Sequence, residues 1–227
     1  MTGDKVIPKV VEKFLNEITK KYDPNIKIGF KSDSWLMKVI AFVVKPFSPT
    51  FMTDYVTVLG STIWCPDTYF QTQSETTTLK VVTHETQHLI DKKKFGSFLF
   101  TLLYGCPQIL ALLSVFSLGD LVFQNAQWLL WLLWLVFLAP IPAYTRYRLE
   151  LNGYRTFYIF ANYVDHSNGK ELAELDSWTT DQLAGKWYYF TWPFPKFIKK
   201  DLQDTNFMTE PRYKELIDWL ETNKISS

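Results

Sequence analysis

From Ser97 to Leu118 the chain carries no charged residue, and after a short interruption the stretch from Gln127 to Tyr144 is uncharged again. At ~1.5 Å per residue the first stretch reaches ~33 Å as a helix, enough to cross a bilayer core. The second, built around Trp128, Trp131 and Trp134 and ending at Pro140 and Pro142, is at the short end of the ~17–25 residues a spanning helix needs. Pro107 predicts a kink in the first stretch, and Gly119-Asp120 predicts the break between the two. Two such stretches are hard to bury in a chain of 227 residues. That favours a transmembrane hairpin over a helical hairpin buried inside a soluble protein. Lys92, Lys93 and Lys94 precede the hairpin and Arg146 and Arg148 follow it, whereas Asp120 alone is charged in the connection. Positive flanks predict that both ends are cytoplasmic and that the turn lies in or across the membrane, with the lipid bilayer as partner.

A mean hydropathy near zero argues against a chain that is membrane throughout. Aromatic residues make up 17 % of the chain and include nine tryptophans, a density suited to a large core or to a membrane interface. A formal net charge of +1 supplies no global field for nucleic acid. Met1 to Leu15 has no apolar run of signal-peptide length. Cys65 sits in a strand-like segment and Cys106 in the apolar run, so no disulfide is expected between them. Val10, Val11, Phe14, Leu15 and Ile18 fall at helical spacing within Val6–Lys21, and Asp23-Pro24-Asn25 ends that helix. Ile26–Val44 suits a strand or a helix. Tyr55–Leu59 and Thr62–Trp64 are rich in β-formers, giving one or two strands bent at Gly60. Ser74-Glu75 marks the start of a helix running to about Lys92. A further helix is expected from Arg146 to Val164, then a polar loop at Asp165–Gly169 and a last helix at Glu210–Thr222. The ring-dense segment Trp187–Phe197 suits either the headgroup region or a core. The reading is an α+β fold in three parts: residues 1–94 and 145–227 form two halves of one domain, and residues 95–144 are an inserted apolar hairpin.

The chemistry is concentrated in His84-Glu85-Thr86-Gln87-His88, which uses two of the chain's three histidines. Histidines at i and i+4 share one helical face and can take one Zn²⁺ together. A glutamate after the first histidine stands beside the metal, where it can take a proton from water. At ~100° per residue Leu79, Val82, Leu89 and Ile90 share one side of the helix, His84 and His88 lie opposite, and Glu85 falls between. The core face is therefore expected to be separate from the histidine face. The plain alternative is that the five residues occur by accident on an ordinary exposed helix. A catalytic zinc takes three protein ligands and leaves one position open. No histidine follows His88 closely, so the third ligand must come from further along, and Glu150 is the choice because the hairpin returns the chain to the side it left. Asp165 and His166 are the other candidates. The strand-rich segment ahead of the helix suits a peptide substrate that pairs with a sheet edge.

Taken in order, the His84–His88 helix, the apolar hairpin and a helix carrying Glu150 resemble the membrane metallopeptidases of the CAAX prenyl protease and HtpX type. These are gluzincins whose zinc site faces the cytosolic membrane surface. The resemblance implies a zincin-like domain with His84, His88 and Glu150 holding one Zn²⁺, Glu85 as base and Tyr55–Trp64 as substrate-binding edge strand. The small residue and aspartate of that family stand here as Gly153 and Tyr154. The family's aspartate orients a ligand histidine. Either Asp91 or another acid does that work in this chain, or Tyr154 has a different role, such as hydrogen-bonding the oxyanion. The function expected is that of a membrane-anchored zinc-dependent endopeptidase. The alternatives are a non-enzymatic membrane hairpin protein, in which the motif is accidental or structural, and a soluble zincin with a buried hairpin.

Overall fold

The structure is a computed structural model that describes residues 5–45, 49–106, 142–185 and 191–225. Helix α1 (Lys9–Glu17) turns its apolar stripe inward, burying Val11, Phe14 and Leu15, and Ile18 follows just beyond its end. The Phe14 ring meets Trp219 edge-on with centroids 5.1 Å apart. The segment that suited strand or helix contains both: strand β1 (Lys27–Phe30), then helix α2 (Trp35–Val44). Strands β2 (Thr57–Leu59) and β3 (Thr62–Cys65) form an antiparallel hairpin whose turn begins at Gly60, at φ 66°, a region open to glycine without steric cost. β1 pairs with β3 in parallel, so the sheet order is β1-β3-β2. This corrects one expectation. Within Tyr55–Trp64 only β2 is an edge strand, because the crossover through α2 seats β1 on the far side of β3 and makes β3 central.

A four-residue helix, α3 (Tyr69–Thr72), leads into α4 (Glu75–Phe95). Ser74 caps α4, its Oγ accepting the Thr77 amide at 3.1 Å. Lys92, Lys93 and Lys94 occupy the last turn, where cations suit the exposed carbonyls. Ser74→Ala removes the cap and is expected to lower stability by about 1 kcal/mol. The check is the urea midpoint, which should fall at unchanged slope; an unmoved midpoint would show that the cap contributes nothing.

Gly96 turns the chain into α5 (Ser97–Gly105). The helix ends at Gly105, and the kink expected at Pro107 lies outside the described residues. Cys106 is extended (φ −79°, ψ 140°), the conformation a following proline imposes, and the helix stops there. The rest of both uncharged stretches, residues 107–141, lies outside the described residues, and with it the expected hairpin. Among the described residues no helix is long and apolar enough to cross a membrane.

Helix α6 (Tyr144–Tyr163) lies along α4, and α7 (Gly169–Ala184), α8 (Pro195–Gln203) and α9 (Pro211–Thr222) complete the chain. The reading of the sequence did not anticipate α7, although its start is written there as a capping box. Asn168 accepts the Lys170 and Glu171 amides while Glu171 accepts the Asn168 amide. In the ring-dense segment some rings are packed and others exposed. Trp192 stacks on Tyr147 at 5.6 Å, whereas Phe194 and Phe197 are exposed, and residues 187–190 lie outside the described residues. Cys65 and Cys106 are both free thiols.

Leu79, Val82 and Leu89 of α4 enter the core as the helical wheel predicts. The opposite face differs from expectation. His84 and His88 are buried as well, because α6 and α5 close over them. The two halves of the chain, residues up to 94 and from 145, therefore meet along the histidine face.

Candidate metal centre

The chemistry of the α4–α6 contact depends on how near two helices can come. An ideal Cβ placed on Gly153 would stand 2.5 Å from Cε1, 2.6 Å from Nδ1 and 2.7 Å from Nε2 of His84. Only hydrogen fits there, so the α6 backbone lies directly against the imidazole. One turn earlier on the same face is Glu150, and next to Gly153 is Tyr154, whose ring meets His84 edge-on with centroids 4.9 Å apart. Glu-x-x-Gly-Tyr is thus a facing pattern: one residue permits the approach and two use it.

The approach brings together the three residues singled out as ligands. Glu150 Oε2 is 3.4 Å from His84 Nε2 and 3.8 Å from His88 Nε2, and all three side chains are almost wholly buried. At 3.4 Å the contact is longer than a good hydrogen bond, and Oε2 has no other partner. A buried carboxylate oxygen without a partner, aimed between two imidazole nitrogens, is what a cation site requires. Ligands ~2.1 Å from a tetrahedral zinc stand ~3.4 Å from one another. The observed separations fit that spacing, and the three ligand atoms all lie within 4.8 Å of one another. Among the described residues this is the only cluster of its kind.

For Glu150 and His88, charge agrees with geometry. Burial alone would push the Glu150 carboxyl up, but His84, His88 and Arg146 outweigh it and hold it at about 2. Burial, helped by His84 and Arg146, pulls His88 down to about 4. Burial also pulls on His84, yet its contact with Glu150 and the charges of Glu85 and Glu150 prevail and raise it. A carboxylate and a neutral imidazole are the forms that bind metal.

Glu85 does not join the cluster. It is half-buried beside it and lines a cavity of about 170 Å³ together with His84, Tyr154, Tyr55, Phe157 and Trp178. Burial raises its carboxyl to about 7, reinforced by Glu150 and opposed by His84 and Lys31. Lys31, at the end of β1, is fully buried and donates to the Phe51 carbonyl at 2.5 Å. Phe157 and Trp178 stack at 5.9 Å to form one wall, and Asp54, Tyr55 and Val56, the approach to edge strand β2, form another. The cavity is therefore ring-lined, with the Glu85 carboxyl and the His84 imidazole on its wall.

The other sequence candidates fall elsewhere. Asp165 pairs with Lys80 at 2.5 Å and His166 is exposed in a loop at φ 50°, so neither joins the cluster. Asp91 does not orient a histidine, because Asn152 and Arg212 engage its two oxygens at 2.9 and 2.8 Å. Nδ1 of both His84 and His88 lacks a hydrogen-bond partner. Three contributors escaped the reading of the sequence. Trp178 depends on the register of α7, which the Asn168 capping box could have supplied. Phe157 follows from continuing the Glu150 face by two turns. Tyr104 is the lone tyrosine of an uncharged run, and nothing local distinguishes it from its apolar neighbours. No family model matches the chain, and no curated protein or solved structure is significantly similar to it.

Proposed function

We propose that this chain is a zinc-dependent endopeptidase anchored in a membrane by residues 95–144. The observation that carries the reading is the convergence of His84 Nε2, His88 Nε2 and Glu150 Oε2, with Glu85 beside them on the wall of a cavity. Those three atoms would hold the ion. Zinc bound there supplies a Lewis acid for the scissile carbonyl and lowers the pKa of a water in its open position. The Glu85 carboxylate takes the proton from the attacking water and returns it to the departing amine. Tyr154, on the same cavity wall, is assigned as donor to the developing oxyanion. The substrate backbone is assigned to β2, whose outer edge is unpaired among the described residues and whose approach, Asp54–Val56, lines the cavity. One apolar substrate side chain occupies the ring-lined space.

The position of the apolar stretch supports the membrane part of the reading. Thr145 Oγ1 donates to the Leu103 carbonyl at 2.6 Å, so the chain enters and leaves residues 107–141 at one place. That place adjoins Glu150, and the site therefore sits at the root of the stretch, where a substrate at the membrane surface would reach it.

Protein purified without chelators is expected to carry about one zinc per chain by elemental analysis. Its hydrolysis of an unstructured protein such as casein should stop on chelation and return with added zinc. A chain that binds no metal under these conditions would overturn the metal centre. Bound zinc without hydrolysis would overturn the peptidase.

A further inference from the structure

Glu150 has two oxygens, and only one of them faces the histidines. Oε2 points between His84 and His88, while Oε1 accepts a short hydrogen bond from the Tyr104 hydroxyl. Tyr104 is itself held on several sides. Its ring stacks on Phe100 with centroids 5.7 Å apart and meets His88 edge-on at 5.7 Å. The Arg146 guanidinium lies over it at 5.0 Å. The neighbouring residue, Leu103, is tied to Thr145 through its carbonyl. A hydroxyl so fixed holds the buried Glu150 carboxylate in one rotation.

We propose that Tyr104 is a positioning residue of the metal centre, whose hydroxyl fixes Glu150 so that one oxygen alone faces the cation. This rests on the metal-centre reading above and adds to it a residue from α5, at the root of the apolar stretch. The physical consequences are two. Glu150 binds through a single oxygen, leaving room in the coordination sphere for water or substrate. The cation's affinity also depends on α5 being seated against α6, because α5 carries the donor. Without the hydroxyl, Oε1 has no partner of its own and the carboxylate is free to turn both oxygens toward the ion.

The test replaces Tyr104 by phenylalanine in the full chain, keeping the ring stack and removing only the hydroxyl, and compares it with Phe100→Leu, which alters the ring stack and keeps the hydroxyl. Zinc affinity is read by competition with a chromophoric chelator, and coordination by the visible absorption of the cobalt-substituted protein. Tyr104→Phe is expected to weaken zinc binding by about 10–100-fold and to lower the intensity of the cobalt bands, as a second carboxylate oxygen enters the sphere. Phe100→Leu should leave the cobalt spectrum as it is in the unmodified protein. Unchanged affinity and spectrum in Tyr104→Phe would overturn the proposal, as would Phe100→Leu reproducing the full change. An unmodified chain that takes up neither zinc nor cobalt would instead overturn the metal centre itself, so the two failures are distinct.

Discussion

Glu85→Gln should abolish hydrolysis while leaving the metal in place, with turnover reduced by about 10²–10⁴-fold. Glutamine has the same size and shape, so the half-buried position beside His84 stays filled and the cavity wall is unaltered. Glu85 is also absent from the group of ligand atoms, so its replacement removes no bond to the ion. What is lost is a carboxylate that can accept a proton next to the reacting carbonyl. Removing a carboxyl that burial already holds at about 7 also takes away a charge the site accommodates poorly, so the melting temperature should not fall. Zinc content, turnover on casein and the melting curve would be measured on the same preparation. Activity near that of the unmodified protein would remove Glu85 from the role of base. Loss of zinc would mean that this side chain holds the ion.

Gly153→Ala is expected to be as damaging, for a steric reason. The added methyl would fall within 2.5–2.7 Å of three atoms of the His84 ring. That ring is pressed between the α6 backbone and the edge-on rings of His88 and Tyr154, so either it swings away or α6 retreats. In the first case His84 Nε2 leaves the cluster. In the second, Glu150 retreats with its helix. Ligand sites need their atoms held within ~0.5 Å, so zinc affinity should drop by more than about tenfold either way. Without metal, rotation of the ring relieves the clash, and the loss of stability should be no more than about 1–3 kcal/mol. The expected pattern is a weakened response of the melting temperature to zinc with a smaller change in the metal-free protein. Equal zinc affinity in Gly153→Ala and the unmodified chain would show that the helices do not approach as closely as described.

Several elements of the fold could be read from local sequence because their causes are local. Ser74 caps α4, the apolar stripe Val11-Phe14-Leu15 orients α1, and Gly60 places the turn between β2 and β3. Each depends on backbone conformation or periodicity within a few residues. Helix α7 is equally local, its start written in the Asn168 capping box, but no strong apolar stripe follows it. Strand order was different in kind. That β3 is central and β2 the edge follows from where α2 carries the chain, and nothing in the composition of either strand specifies it.

The candidate site divides along the same line. By itself the sequence determined that His84 and His88 share a helical face with Glu85 beside them, because spacing on an α-helix is fixed by its 3.6-residue turn. It also supplied Glu150 as the acid on the returning helix. Tertiary structure alone decided which other groups surround that acid. Asp91 was drawn to Arg212 and Asn152 and away from the histidines, Tyr154 was laid against His84, and Tyr104 was brought from the apolar run to the Glu150 carboxylate. The reason is physical. Partners of a buried carboxylate are set by where two helices cross, and that crossing was decided by the absence of one side chain at Gly153, a feature whose meaning appears only when the facing helix is in place.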